Sequence, residues 1–198
     1  MLGTRLAFSG LLTALLITTF SFSQVISLEI KNVDTSAGTL DIYMTNQKGC
    51  SYCTDSEYVN QTGCENYGSE GATWEFSTEI DSATCVAWDQ NNEEGIHGDY
   101  FNGNVKGGQF YLSGITISGT DGGTANEYLD FVNVNSTADC DADGDTEDEA
   151  GCNLIVLVSF GQAFIPPGEN QLLLSVTFTD YGEIEICFAG VALDPDAG

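Results

Sequence analysis

Thr39-Leu40-Asp41-Ile42-Tyr43-Met44 alternates apolar and polar side chains at nearly every step, whereas Leu154-Ile155-Val156-Leu157-Val158 is apolar without a break. Alternation over this length is the mark of a strand with one face in a core and the other in water. An unbroken apolar run of five fits a central strand of a sandwich. The same two patterns recur along the chain. They predict strands over Val25–Lys31, Thr39–Thr45, Trp74–Ile80, Thr84–Trp88, Gln109–Ser118, Glu127–Asn135, Asn153–Phe160, Gln171–Thr179 and Glu183–Ala189. Turn signals punctuate them at Ser36-Ala37-Gly38, Asp121-Gly122-Gly123, Pro166-Pro167-Gly168 and Asp180-Tyr181-Gly182. No long segment after residue 23 has the 3.6 period of an amphipathic helix. Many short strands with Gly-rich turns mean an all-β sandwich or barrel.

Composition narrows the function. The chain has 198 residues, with 30 Asp and Glu against 4 Lys and Arg, a net charge of -26. Nucleic acid is excluded as a partner, because phosphate contacts need Lys and Arg. The 42% hydrophobic content is enough for a core and argues against a disordered chain. The length suits one domain rather than two large ones. A single histidine, His97, excludes chemistry that needs several.

Met1–Ser23 reads as a secretory signal. Arg5 supplies the positive end, Leu6–Phe22 is apolar and free of acids, and Ser21 and Ser23 are small residues suited to cleavage before Gln24. The alternative is an uncleaved anchor, for which the stretch is short and rich in Ser and Thr. Removing residues 1–23 leaves three lysines against 30 acids, and a domain spanning 24–198. Membrane association is then expected only through export or through a continuation beyond Gly198.

An exported chain meets an oxidising compartment, so the seven cysteines read as a disulfide framework. Cys50, Cys53, Cys64 and Cys85 form two bridges among themselves, in any of three pairings. Cys140 and Cys152 flank one acidic loop and are expected to pair. Cys187 is left over. Cys50-Ser-Tyr-Cys53 by itself is a weak zinc or redox signal, because no second CxxC accompanies it. Two segments stand apart from the strand pattern: an insertion over 47–104, holding four cysteines and both tryptophans, and the acidic loop over 136–151.

The segments Ile26–Asn46 and Val105–Gly119, the run Asn153–Phe160, and Ile165-Pro-Pro-Gly-Glu-Asn-Gln-Leu-Leu-Leu-Ser-Val-Thr-Phe178 resemble the opening and closing strands of cohesin-like modules. The resemblance covers about 100 residues in pieces. It implies a jelly-roll β-sandwich of about nine strands, here with a disulfide-rich insertion. It also implies a non-catalytic module of secreted bacterial surface proteins that binds a protein partner such as a dockerin. Cohesins proper bind calcium-loaded dockerins through one sheet face. The cysteine-rich insertion and the acidic loop depart from that pattern. Some carbohydrate-binding modules share the shape, so a polysaccharide is the second candidate partner.

The acidic loop holds seven carboxylates between Asp139 and Glu149. Asp139, Asp141 and Asp143, then Gly144 and Asp145, copy the first half of a calcium loop, where alternate oxygens point at one centre and glycine permits the turn. The twelfth position is Ala150 instead of the bidentate Glu of an EF-hand. Glu147, Asp148 or Glu149 would have to replace it in a looser site. The alternative is a solvated loop held by Cys140–Cys152. Among the aromatic residues, Trp88, Tyr100 and Phe101 are candidate ligand contacts, though Trp74 and Trp88 better suit a small core beside the disulfides. Carboxylates abound, so paired acids do not indicate a glycosidase. No Gly-x-Ser-x-Gly or His-Glu-x-x-His occurs. The expectation is therefore not an enzyme. If the loop binds calcium, the melting temperature rises in millimolar calcium relative to chelator. An unchanged value removes the loop as a stabilising site.

Overall fold

The computed structural model describes residues 25–86, 96–136, 152–179, 181 and 185–189. The segment 1–23 with its expected signal, Trp88, Cys140 and the carboxylates from Asp139 to Glu149 lie outside the described residues. Within them the fold is mostly strand, with two short helices. In chain order the elements are β1 (Ser27–Asp34), β2 (Thr39–Thr45), β3 (Gly49–Cys53), α1 (Gln61–Tyr67), β4 (Trp74–Ser77), β5 (Cys85–Val86), β6 (Ile96–Phe101), β7 (Gly107–Ser113), β8 (Thr116–Asp121), α2 (Gly123–Tyr128), β9 (Phe131–Asn135), β10 (Asn153–Val158), β11 (Gln171–Thr179) and β12 (Cys187–Ala189). Among the described residues, no helix is long and apolar enough to cross a membrane.

Three four-stranded sheets form, in the orders β1-β2-β11-β8, β12-β7-β10-β9 and β4-β3-β6-β5. The first two make the sandwich. Leu40, Ile42 and Met44 of β2 and Leu174, Val176 and Phe178 of β11 join Leu112 of β7 and Ile155 and Leu157 of β10 in one buried cluster. Burying each such side chain contributes about 1.5–3 kcal/mol. Within the sandwich, sequence neighbours share a sheet only at β1–β2 and β9–β10. Elsewhere in the sandwich the chain crosses from sheet to sheet, which is jelly-roll wiring. The expected all-β sandwich is therefore the observed fold. β2 and β11 occupy the expected residues, and the other shared strands differ mainly at their ends.

Two expected strands are corrected. Gln109–Ser118 is not one strand but two, broken at Gly114, and its halves lie in different sheets. Gly114 has φ +89°, and a Cβ there would come within 2.5 Å of the Glu185 carbonyl oxygen. The buried side chain of Asn153 holds this corner. Its Nδ2 donates to the carbonyls of Leu112 (3.0 Å) and Ile115 (2.7 Å), and its Oδ1 accepts from the Ile117 amide (3.0 Å). Similarly, Glu127–Asn135 begins as α2 and becomes β9 only from Phe131. α2 starts at Gly123, with φ +67°, against the Leu173 carbonyl, and inserts the fully buried Ala125 into the core.

The insertion contains the third sheet. The expected hairpin of Trp74–Ile80 with Thr84–Trp88 is not formed: β4 and β5 lie at opposite edges of the sheet. The missed strands, β3 and β6, take the centre. β3 (Gly-Cys-Ser-Tyr-Cys) has little apolar character in its sequence, but its two cysteines become buried disulfide sulfurs. The bridges are Cys50–Cys85 and Cys53–Cys64, one of the three pairings open to sequence. In the chain-entropy model, closing loops of these lengths contributes about 4 and about 3 kcal/mol. Cys152 is also disulfide-bonded, and its expected partner Cys140 lies outside the described residues. Cys187 is free and exposed. Gly98 lets β6 approach β3, since a Cβ there would stand 2.2 Å from the Ser51 carbonyl oxygen and 3.0 Å from Cys50 Sγ.

The insertion is rooted on a second buried asparagine. Asn46 Nδ2 donates to the carbonyls of Gly103 (2.6 Å) and Pro166 (3.0 Å), and its Oδ1 accepts from Gln171 Nε2. The Asn46 amide donates to the Gly168 carbonyl at 2.9 Å. One side chain thus ties the insertion's exit to the loop before β11.

Asn153→Ala orphans three main-chain groups at the Gly114 corner, at a cost on the order of 3 kcal/mol. A urea denaturation midpoint measures it. The exposed Asn133→Ala is expected to fall within about 0.5 kcal/mol of wild type.

Candidate functional site

The uninterrupted apolar run that marked β10 has a consequence beyond the core. Ile155 and Leu157 point inward and are buried, so Leu154, Val156 and Val158 point outward. Their register partners extend the same face. Leu154 lies between Tyr111 of β7 and Asn135 of β9, Val156 between Gln109 and Asn133, and Val158 between Gly107 and Phe131. Ser113 and Cys187 continue it toward β12. Among the described residues, no outward position on these four strands carries a charge. In a chain of net charge -26 that is a selective depletion.

The opposite outer face has different chemistry. β2 keeps strict alternation, and its outward side is Thr39, Asp41, Tyr43 and Thr45. Asp41 accepts from Ser175 Oγ (2.6 Å) and Asn32 Nδ2 (2.8 Å). Lys31 pairs with Glu29 at 2.6 Å and lies 5.0 Å from the centre of the Tyr43 ring. These polar groups satisfy one another. A shallow groove of about 490 Å³ runs between edge strands β1 and β12, lined by Leu28, Ile30, Ile186 and Phe188, with Cys187 beside them.

At one end of the uncharged face stand two exposed phenylalanines. Phe160 is 77% exposed and Phe131 41% exposed, and their ring centroids are 6.1 Å apart at an interplanar angle of 57°. Phe131 enters β9 opposite Val158, and Phe160 follows β10 by two residues. Asp130 fixes them together: its Oδ2 accepts from the Phe160 amide (2.9 Å) and from Ser159 Oγ (3.3 Å). The sequence does not mark this site, because Phe131 and Phe160 fall within expected strands like any other strand residue. The available signal was an aromatic residue at an end of each of two adjacent strands.

The sequence-expected ligand residues are not assembled into one surface. Tyr100 and Phe101 are half-buried, and as successive residues of β6 they point to opposite faces of the third sheet. Their register partners are Cys50 and Gly49. Trp74 is half-buried at the sheet edge opposite Cys53. Trp88 lies outside the described residues, as do Asp139, Asp141, Asp143, Asp145, Glu147 and Glu149. Among the described residues, no cluster of three or more His, Cys, Asp or Glu side chains is arranged to hold a metal ion. His97 sits on β6, where its Nδ1 is buried without a hydrogen-bond partner.

Of the two sequons, the first lies among the described residues and the second does so at Asn135 and Ser136. Asn60 of Asn60-Gln-Thr62 caps α1, its Oδ1 accepting from the Gly63 amide at 2.8 Å. Asn135 of Asn135-Ser-Thr137 is exposed at the end of β9.

The chain matches no family model, no curated protein and no solved structure. The geometry of the chain therefore carries the functional reading.

Turn carboxylates organise the surroundings. Asp34 accepts from Ser36 Oγ (2.6 Å) and from the Ser36 and Ala37 amides, and these bonds hold its carboxyl below the ordinary value, Ser36 Oγ foremost. In the insertion, Asp55 is lowered chiefly by the Ser69 amide (2.8 Å), and Asp81 chiefly by the Thr84 amide (2.9 Å). A carboxyl lowered on folding adds stability above its unfolded pKa and loses it as pH falls through the folded one. The window therefore lies below about pH 4. The stability difference between wild type and the triple variant Asp34→Asn, Asp55→Asn, Asp81→Asn is expected to shrink as pH drops through it. Chemical denaturation at pH 7 and pH 2.5 checks this, and a constant difference would refute it.

Proposed function

We propose that this protein is a non-catalytic, exported binding module of cohesin-like type, which docks a protein partner through the outward face of the β12-β7-β10-β9 sheet. The absence of charge from that face, in so acidic a chain, is the observation that carries the reading. Protein interfaces are depleted of charge at their centres and keep polar groups at the rim. An apolar exposed patch in an otherwise polar protein marks an interaction site. The jelly-roll wiring supports the family resemblance, and the disulfide bridges support export. Calcium, held by the acidic loop, is the proposed cofactor, and its role is to order the loop rather than to act in chemistry.

A carbohydrate-binding module is the second reading. It needs two or three coplanar exposed rings as a stacking platform. Phe131 and Phe160 are tilted by 57° to each other, which favours a protein partner over a sugar surface.

The decisive experiment is binding of Gln24–Gly198 to a panel of dockerin-type modules, in calcium and in chelator. Val156→Arg places a charge at the centre of the face and is expected to weaken binding by at least about tenfold, or 1.4 kcal/mol. Ser118→Arg, on the opposite sheet, is expected to leave it unchanged. Equal binding by wild type and Val156→Arg would remove this face as the docking site. Binding to no module would leave cohesin-type function as fold analogy alone.

A further inference from the structure

We infer that Phe160 and Asp130 together form a receptor for an arginine side chain presented by the protein partner, an inference that rests on the docking reading above. Three observations carry it. First, Phe160 is 77% exposed, so almost its whole ring offers a π face to a partner. Second, its backbone is not free to turn that ring away. The Phe160 amide and Ser159 Oγ both donate to Oδ2 of Asp130, and the Phe131 ring flanks Phe160 at 6.1 Å. Third, among the described residues both hydrogen bonds to Asp130 fall on Oδ2, which leaves Oδ1 to accept from a partner beside Phe160.

A guanidinium matches this pairing of groups. It is planar, stacks on an aromatic ring and donates to a carboxylate with a neighbouring N–H. A lysine ammonium satisfies the charge but not the stacking. The occupant is not a second copy of this chain. Its only arginine is Arg5, in the segment read as a cleaved signal, and two chains of net charge -26 repel. Charge complementarity therefore points to a different protein, with arginine at the edge of an apolar contact.

N-acetyl-arginine amide, titrated into 15N-labelled protein, tests the receptor directly. Saturable shifts are expected at the amides of Ser159, Phe160 and Asp130, with weaker ones for the lysine analogue and none for the neutral citrulline analogue. Phe160→Ala is expected to weaken arginine binding by about two- to fivefold. Its side chain is exposed, so an unchanged melting temperature should accompany that loss. Shifts scattered over the acidic surface, equal response to citrulline, or no response at Phe160 would each overturn the proposal.

The failure of the docking reading is separable. Arginine-specific shifts at Phe160, with protein binding unmoved by Val156→Arg, would uphold the receptor and discard the sheet face. Docking abolished by Val156→Arg, without any arginine-specific shift, would discard the receptor and keep the face.

Discussion

The Asn153 side chain is the interaction on which the sandwich most depends. A jelly roll requires the chain to leave one sheet and enter the other repeatedly, and each corner interrupts backbone pairing. At the β7–β8 corner the interruption is buried, where unpaired main-chain groups are most costly. Asn153 supplies both donors and an acceptor to Leu112, Ile115 and Ile117, replacing the ladder that the corner breaks. Because Asn153 opens β10, the same residue links the corner to the central strand of the second sheet. Asn46 plays the corresponding part at the insertion, joining Gly103 to Pro166 and Gln171.

These two amides let the chain carry a large insertion without disturbing the sandwich. The insertion spans the connection from β2 to β7 and builds its own small sheet, cross-linked by Cys50–Cys85 and Cys53–Cys64. Its apolar content is thin, and buried disulfide sulfurs take the place of a larger core. Among the described residues, the sandwich's two outer faces have diverged. One is a network of mutually satisfied polar groups around Asp41 and Lys31. The other is without charge, its apolar centre of Leu154, Val156 and Val158 flanked by Gln109, Asn133 and Asn135, and it ends in the clamped pair of phenylalanines.

Much of this was legible in sequence. β2 and β11 were readable because side chains alternate with the pleat, and β10 because an unbroken run of five apolar residues fits a central sandwich strand. The disulfide-rich insertion was visible as a cluster of cysteines. The central strand β3 was not, since its burial comes from disulfide bonds to residues 11 and 35 positions away. The break at Gly114 was hidden inside an apparently continuous strand, because the Asn153 side chain that holds it is supplied from far along the chain. Asp130 lies inside the expected strand Glu127–Asn135, and its bonds to Ser159 and Phe160 cross about 30 residues.

By itself the sequence determined the class of fold, the acidic character of the surface and the residues able to form strands, because pleat periodicity and side-chain chemistry are local properties. The tertiary structure alone decided which sheet each strand joins, how four cysteines pair and which sheet presents an uncharged face. Those outcomes depend on contacts between residues far apart in the chain. β10 illustrates the division: its sequence makes both faces apolar, but only its neighbours β7 and β9 determine that the outward one is continued without charge.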